Sequence, residues 1–292
     1  MNKIVTRTAL LATFFLMLIS CSSDSDKTTQ ETAPLEAEVQ MNVSYGDDPQ
    51  QIYDLYLPAN RSEIKTKTII LVHGGGWIEG DKADMDGFIS LLQQNHPDHA
   101  IVNMNYILAT QQTPAFPNQF LDIDHVINKL TAEKEALQLQ PVFGLLGVSA
   151  GAHLSLQYDY VYDTDDQVKM VVDIVGPTDF TDPRYADDPN FQAALAFFVD
   201  EEAYPNTTDY AAATSPALQV NRNSSPTILF YGNEDPLVPL TNGQTLENAL
   251  SENDITNSFT VYNAGHGDFS PVDGLDLQNK VSTFINTHLA ID

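Results

Sequence analysis

VFGLLGVSAGAHLSL, residues 142–156, runs from an apolar segment through Gly147, Val148, Ser149, Ala150 and Gly151 into a helix-like segment. An apolar run this short, with no polar alternation, is what a strand buried on both faces requires. The Gly-x-Ser-x-Gly pattern that follows marks a tight strand-to-helix turn. Small neighbours relieve crowding there, so that a serine hydroxyl can stand exposed at the end of a sheet. The pattern alone is only moderately specific; the strand before it and the helix after it give it meaning. Ser149 is therefore the candidate nucleophile.

Outward from this turn, strands and helices alternate. Upstream, strands are expected over 39–45 and 51–57, about a turn at GDDP, with Tyr53, Leu55 and Leu57 on one face. TIILV at 68–72 and AIVNMNY at 100–106 read as further strands, separated by a helix over 83–95. Phe116, Phe120, Ile123, Ile127 and Leu130 recur at helical spacing. Downstream, strands are expected at 168–175, 227–231 and 258–262, with helices over 241–250 and 275–288. Such alternation implies an α/β fold with a doubly wound, mainly parallel sheet covered by helices on both faces. Sheets of this kind hold ligands outside the carboxyl ends of their strands. The stretch 178–223 breaks the rhythm with Pro183, Pro189, Pro205 and Pro216 around FQAALAFFV, and reads as a small cap insertion beside the site.

The chemistry gathers at those strand ends. TIILV leads into His73, Gly74, Gly75, Gly76 and Trp77. Consecutive glycines let the backbone approach a ligand closely, and their N–H groups, with that of Ala150, can face a developing oxyanion. A phosphate-binding role does not fit, because the spacing is neither GxGxxG nor the Walker pattern and no lysine follows. A serine hydroxyl needs a base to take its proton, and an imidazole base needs a carboxylate to fix its tautomer. Asp235, in YGNEDPLVP after one late strand, and His266, in NAGHGDF after the next, follow Ser149 in that order. Glu234 and Asp268 are rival acids. His153, four residues after Ser149, is expected to point into the scaffold, and His73 to shape its own loop. His96, Asp98 and His99 in NHPDH offer no closed-site metal spacing and read as a solvated loop. Trp77 either lines a substrate pocket or anchors the glycine loop. Tyr158, Tyr160 and Tyr162 read as packing residues on the helix after the turn. No metal or organic cofactor is implied.

Composition bounds the partners. Thirteen basic residues against 40 acidic ones give a formal charge of −27, which repels nucleic acid and demands a local exception for any anionic substrate. Lys3 and Arg7 precede an apolar run from Ala9 to Ile19 that is too short to span a bilayer comfortably. It ends in Leu18, Ile19, Ser20, Cys21, which resembles the bacterial lipobox, so that 1–20 reads as a lipoprotein signal peptide and Cys21 as the lipid acceptor. Cys21 is the sole cysteine of the chain, so the fold is stable without an internal disulfide. Residues 21–38 are polar and aperiodic, a flexible tether, and 39–292 form one domain. These readings put the protein in a bacterial cell envelope, anchored to a membrane.

With HGGGW, GVSAGAHL, GNEDPLVP and GHG in order, the chain resembles the carboxylesterase branch of the α/β hydrolases. It looks closest to the group of bifunctional feruloyl/acetyl-xylan esterases, and more distantly to hormone-sensitive-lipase-like esterases. The opening VSYGDDPQQIYDLYLP is similar to that group's N-terminal hairpin, so the likeness covers about residues 39–290. The resemblance implies the α/β-hydrolase fold, a triad of Ser149, Asp235 and His266, and oxyanion donors at Gly75, Gly76 and Ala150. It implies an ester substrate, small or an oligosaccharide, with acetylated or feruloylated polysaccharide as the expectation. It leaves open a peptidase or amidase of the same fold, and a catalytically silent envelope lipoprotein that binds glycans remains the alternative from another class.

Overall fold

The computed structural model describes residues 34–205 and 208–291. The expected signal peptide, Cys21 and most of the expected tether lie outside them. The tether's last residues are held by the domain: the Leu35 carbonyl accepts from the Asn60 N–H at 2.8 Å and that of Glu36 from the Arg61 guanidinium at 2.6 Å.

In chain order the main elements are β1 (Glu38–Ser44), β2 (Ile52–Leu57), β3 (Thr68–Val72), α1 (Asp86–Asn95), β4 (Ala100–Met104), α2 (Asn118–Ala132), α3 (Lys134–Leu137), β5 (Phe143–Val148) and α4 (Ala150–Gln157). There follow β6 (Val168–Ile174), α5 (Pro183–Ala186), α6 (Pro189–Phe198), α7 (Tyr210–Ala213), β7 (Thr227–Gly232), α8 (Leu240–Glu252), β8 (Asn257–Tyr262) and α9 (Pro271–His288). The strands form one eight-stranded sheet in the order β1-β2-β4-β3-β5-β6-β7-β8. β2 pairs antiparallel with β1 and β4, and from β4 onward every pairing is parallel.

Side-chain alternation along the strands builds a core on each face. On β3, Ile70 and Val72 join one core with residues of α2, α4 and α8, while Ile69 and Leu71 join the other with residues of α1 and α9. All five residues of β3 are buried, as an apolar central strand must be. Each such aliphatic side chain contributes about 1.5–3 kcal/mol. The register between β3 and β5 pairs Val72 with Gly147, which brings the glycine loop after β3 beside the turn after β5.

Helix starts depart from expectation by a turn. The segment expected as a helix from 83 opens as a 3₁₀ turn, Lys82–Met85, which Asp81 caps by accepting from the Ala83 N–H. α9 begins at Pro271 because the Ser270 hydroxyl accepts from the Asp273 N–H there. The solvated-loop reading of NHPDH is corrected: His96 and His99 are buried. His96 Nε2 pairs with the Ser282 hydroxyl at 3.0 Å and His99 Nε2 donates to the Leu289 carbonyl at 2.9 Å, because α9 returns across this corner. Burial pushes both imidazoles down in pKa, which keeps them neutral.

The insertion expected at 178–223 is a series of short helices. Asp182 and Asp188 each cap a helix whose first residue is proline. Its far side is tied to the segment entering α2, where the Phe116 N–H donates to the Phe198 carbonyl and the Asp200 N–H to the Phe116 carbonyl, both at 2.8 Å.

Candidate active site

Ser149 sits between β5 and α4 with φ 53° and ψ −119°, a backbone conformation that costs an L-residue about 1–3 kcal/mol. The turn is held by its own amide, which donates to the Ile174 carbonyl at 2.8 Å, and by its carbonyl, which accepts from the Ala152 and His153 N–H groups. The flanking glycines are dictated by close approach. A Cβ on Gly147 would lie 2.3 Å from the Gly151 carbonyl oxygen, and one on Gly151 would lie 2.1 Å from that of Val72. The Gly-x-Ser-x-Gly pattern is thus the steric condition for lifting the Ser149 hydroxyl to the carboxyl end of the sheet.

The turns after β7 and β8 bring the other two side chains to the same rim. His266 Nε2 lies 2.8 Å from Ser149 Oγ, and His266 Nδ1 lies 2.7 Å from Asp235 Oδ2. Glu234 and Asp268 are exposed, and neither bonds to His266. The second Asp235 oxygen accepts from the Leu237 and Val238 N–H groups at 2.7 and 2.9 Å. Burial pushes the Asp235 carboxyl up, but the bonds from His266, Val238 and Leu237 outweigh it and hold the group below its ordinary pKa. The carboxylate therefore stays ionised and keeps the Nδ1 proton, leaving Nε2 free to take one from Ser149.

The loop after β3 faces this relay. Gly75 has φ +116°, and its carbonyl accepts from the Ile78 and Glu79 N–H groups in a tight turn. Among the described residues the Gly75 and Gly76 amides donate to no protein acceptor. Ala150, as the first residue of α4, has an N–H with no intrahelical partner. Unpaired N–H groups around a nucleophile can stabilise negative charge on a carbonyl oxygen attacked there.

Two side chains that sequence reasoning left out fix this loop, and a third holds the loop after β7. The Tyr106 hydroxyl donates to the His73 carbonyl at 3.0 Å, with the Gly74 carbonyl 3.2 Å away. Its ring stacks on His73 at 4.3 Å. Gln119, fully buried, donates to the Trp77 and Ile107 carbonyls. Tyr185, from α5, lines the cavity and donates through its hydroxyl to the Leu237 carbonyl at 3.1 Å. The place of Tyr106 at the end of a buried strand was the one available signal; the other two are matters of tertiary packing. His73 does shape its loop, with Nδ1 2.6 Å from the Gly74 carbonyl.

Trp77 is held in the loop by Gln119 and is one of the residues lining the cavity. Its indole N–H donates to His153 Nδ1 at 3.2 Å, and His153 Nε2 donates to the Thr214 carbonyl at 2.8 Å. His153 thus points into the scaffold, and burial pushes its pKa down to about 4, so it accepts and donates as a neutral ring. Tyr158, Tyr160 and Tyr162 lie on a π-helical turn that continues α4, the first two buried. Over the triad opens a cavity of about 680 Å³, walled by the glycine loop, by Met85 and Phe88, and by Tyr185, Phe191 and Leu237. Among the described residues no group of histidine, cysteine and acidic side chains is arranged to hold a metal ion.

Comparison with known proteins places this geometry in a family. Residues 53–250, more than half of the chain, match the BD-FAE family. The chain belongs to the BD-FAE family. This is an α/β-hydrolase esterase family, and the matched region of the BD-FAE domain runs from β2 to α8. Over 251 residues it is 26% identical to Esterase LipC of Mycobacterium tuberculosis, covering 80% of this chain and 60% of that one. It is likewise 26% identical over 231 residues to the isoprenylcysteine alpha-carbonyl methylesterase ICME of Arabidopsis thaliana, covering 73% of this chain and 52% of the relative. The chain therefore spans only about half to three-fifths of the length of these relatives. Among solved structures, a truncated carbohydrate esterase from gut microbiota superposes with a TM-score of 0.67 at 20% identity, covering 85% of this chain and 97% of that one. Propionate-bound esterase Est2 of Thermogutta terrifontis superposes at 0.69 and 18% identity, covering 86% and 94%. Both likenesses establish the α/β-hydrolase fold of the BD-FAE domain.

Proposed function

We propose that the BD-FAE domain is a serine esterase working through an acyl-enzyme. The observation that carries this reading is the continuous hydrogen-bonded relay Ser149–His266–Asp235. His266 Nε2 takes the Ser149 proton as Oγ attacks the ester carbonyl. The carbonyl oxygen becomes an oxyanion, held by the amides of Gly75, Gly76 and Ala150; one such donor is worth about 2.7–4 kcal/mol in the transition state. Collapse breaks the acyl–oxygen bond, and the imidazolium gives its proton to the departing alcohol. Water then repeats the attack with His266 as base, releasing the acid and restoring the hydroxyl. The likeness to esterases in sequence supports this reading.

Ser149→Ala is expected to keep its circular dichroism spectrum while losing p-nitrophenyl acetate hydrolysis and covalent labelling by a fluorophosphonate. Undiminished labelling in that variant overturns the assignment. The substrate class proposed is acetylated or feruloylated polysaccharide, supported by the family and by the carbohydrate esterase that shares its fold. The protein is lipidated at Cys21 and held to a bacterial envelope membrane. Palmitate incorporation in cells, lost in Cys21→Ala, tests that; equal incorporation in both refutes it.

A further inference from the structure

Beside the cavity over the triad lies a second depression of about 380 Å³, between α1 and the start of α9. Asp84, Phe88 and Val148 line both, so the two form one cleft with Phe88 at the junction. The second part is walled by Phe88, Leu91, Phe269 and Leu277, with Gln278 exposed at its rim.

The relay decides which half of an ester extends into it. The carbonyl oxygen must face the amides of Gly75, Gly76 and Ala150. The departing oxygen must lie within reach of His266 Nε2, which supplies its proton. Gly267, directly after His266 and turned by a φ of +78°, borders the second depression. An alcohol leaving past His266 therefore passes along Gly267 toward α1 and α9. The acyl group stays on the cap side, beneath Tyr185, Phe191 and Leu237.

The walls define the alcohol. Phe88 and Phe269 are half-buried, leaving part of each ring open, and Asp84 and Gln278 offer polar groups at the edges. No lysine or arginine among the described residues lines either part of the cleft, and Asp84 and Glu79 stand at its walls. In a chain of formal charge −27 such a cleft repels an anionic leaving group. Aromatic faces with polar rims suit a neutral polyhydroxyl chain, whose C–H faces pack on phenyl rings while its hydroxyls reach the rim groups. We infer that the groove between α1 and α9 is the leaving-group subsite and binds a neutral oligosaccharide, with Phe88 and Phe269 as its platforms. This rests on the serine-esterase reading and adds to it where the glycan lies.

The test compares p-nitrophenyl acetate with acetylated xylo-oligosaccharides from the disaccharide to the hexasaccharide. The wild-type kcat/KM is expected to rise with chain length, by roughly three- to tenfold for each added ring contact. Phe269→Ala, and Gln278→Trp, which fills the groove from an exposed helix position, are expected to abolish that rise. Fluorophosphonate labelling of Ser149, which expels only fluoride and so does not draw on the groove, reports separately whether the relay is intact in each variant. A flat length dependence in the wild type, or a rise that both variants retain, overturns the subsite while leaving the esterase standing. A rise along ethyl to octyl acetate in place of the glycan series overturns the assignment to sugars. Absence of both p-nitrophenyl acetate hydrolysis and fluorophosphonate labelling overturns the esterase reading and this inference with it.

Discussion

Asp235 shows how much one carboxylate is asked to do: it orients His266 through one oxygen and ties down its own loop through the other. Asp235→Asn can present an N–H to the imidazole and reverse its tautomer, so kcat for p-nitrophenyl acetate is expected to fall on the order of 10⁴-fold with little change in KM. A loss under about tenfold would mean that His266 is oriented by something else. The pH signature follows from the direction of its shift. A carboxyl held below its ordinary value of 3.8 contributes stability above that value, and the contribution is lost as pH falls through the lower folded value. The gap in melting temperature between wild type and Asp235→Asn is therefore expected to persist through neutral pH and to close only below that range. His153 makes a different kind of prediction, because it serves as both acceptor and donor at a fully buried position. His153→Leu strands the Trp77 indole N–H and the Thr214 carbonyl, each at a cost of about 1–3 kcal/mol. Urea unfolding that differs from wild type by less than about 0.5 kcal/mol would show that the bridge carries no weight.

At the scale of elements, the cap braces the acid loop. The α5 residues Arg184 and Tyr185 donate to the carbonyls of Pro236 and Leu237, directly after Asp235, and Thr241 at the start of α8 bonds Asp182. Tyr185 also stacks on Phe191 at 4.5 Å over the cavity. Tyr185→Phe keeps the ring and removes one anchor of the loop, so kcat is expected to drop by about three- to tenfold at nearly constant KM, the kinetic mark of lost positioning. An increase in KM alone would assign Tyr185 to substrate contact instead. The contrast between strands and cap explains what was legible in the sequence. TIILV, buried on both faces, was readable to the residue, because five residues rich in β-branched side chains, too few for a helix and closed by a glycine loop, read as a buried strand. The approach of Ser149, His266 and Asp235 to one another was readable because each follows a strand. The cap's short helices carry no such periodicity; only the Asp-Pro pairs at Asp182 and Asp188 announce them, by capping. His96 and His99 were misread because what buries them, the end of α9, lies some 190 residues away in the chain.

Across the whole molecule, two forms of negative charge act on stability, and they can be separated. One is the surface excess behind the formal −27, which repels itself through solvent and weakens with salt. The other is internal. Asp159 and Asp173 are buried carboxyls whose pKa values burial pushes up to about 7. The bonding around Asp173 accommodates a protonated acid. The Tyr231 hydroxyl has both the Gly176 carbonyl and Asp173 Oδ2 within reach but one proton to give. Donating it to the carbonyl leaves its oxygen free to accept from a protonated Asp173. The sign then follows: a carboxyl with a raised folded pKa is fully accommodated below 3.8, and its contribution is lost as pH climbs through about 7. Melting temperature is expected to rise as pH is lowered from about 8 to about 5.5, and part of that slope is expected to survive high salt, because buried groups are screened little. Asp173→Asn replaces the acid with a neutral group whose NH₂ can donate to the Tyr231 oxygen while its carbonyl still accepts from Gly176. The variant is expected to fold and to lose its share of the salt-resistant slope, leaving that of Asp159. Thermal melts across pH at low and high salt decide the matter: an unchanged slope in Asp173→Asn would mean that the carboxyl is ionised within the core and that the slope arises at the surface.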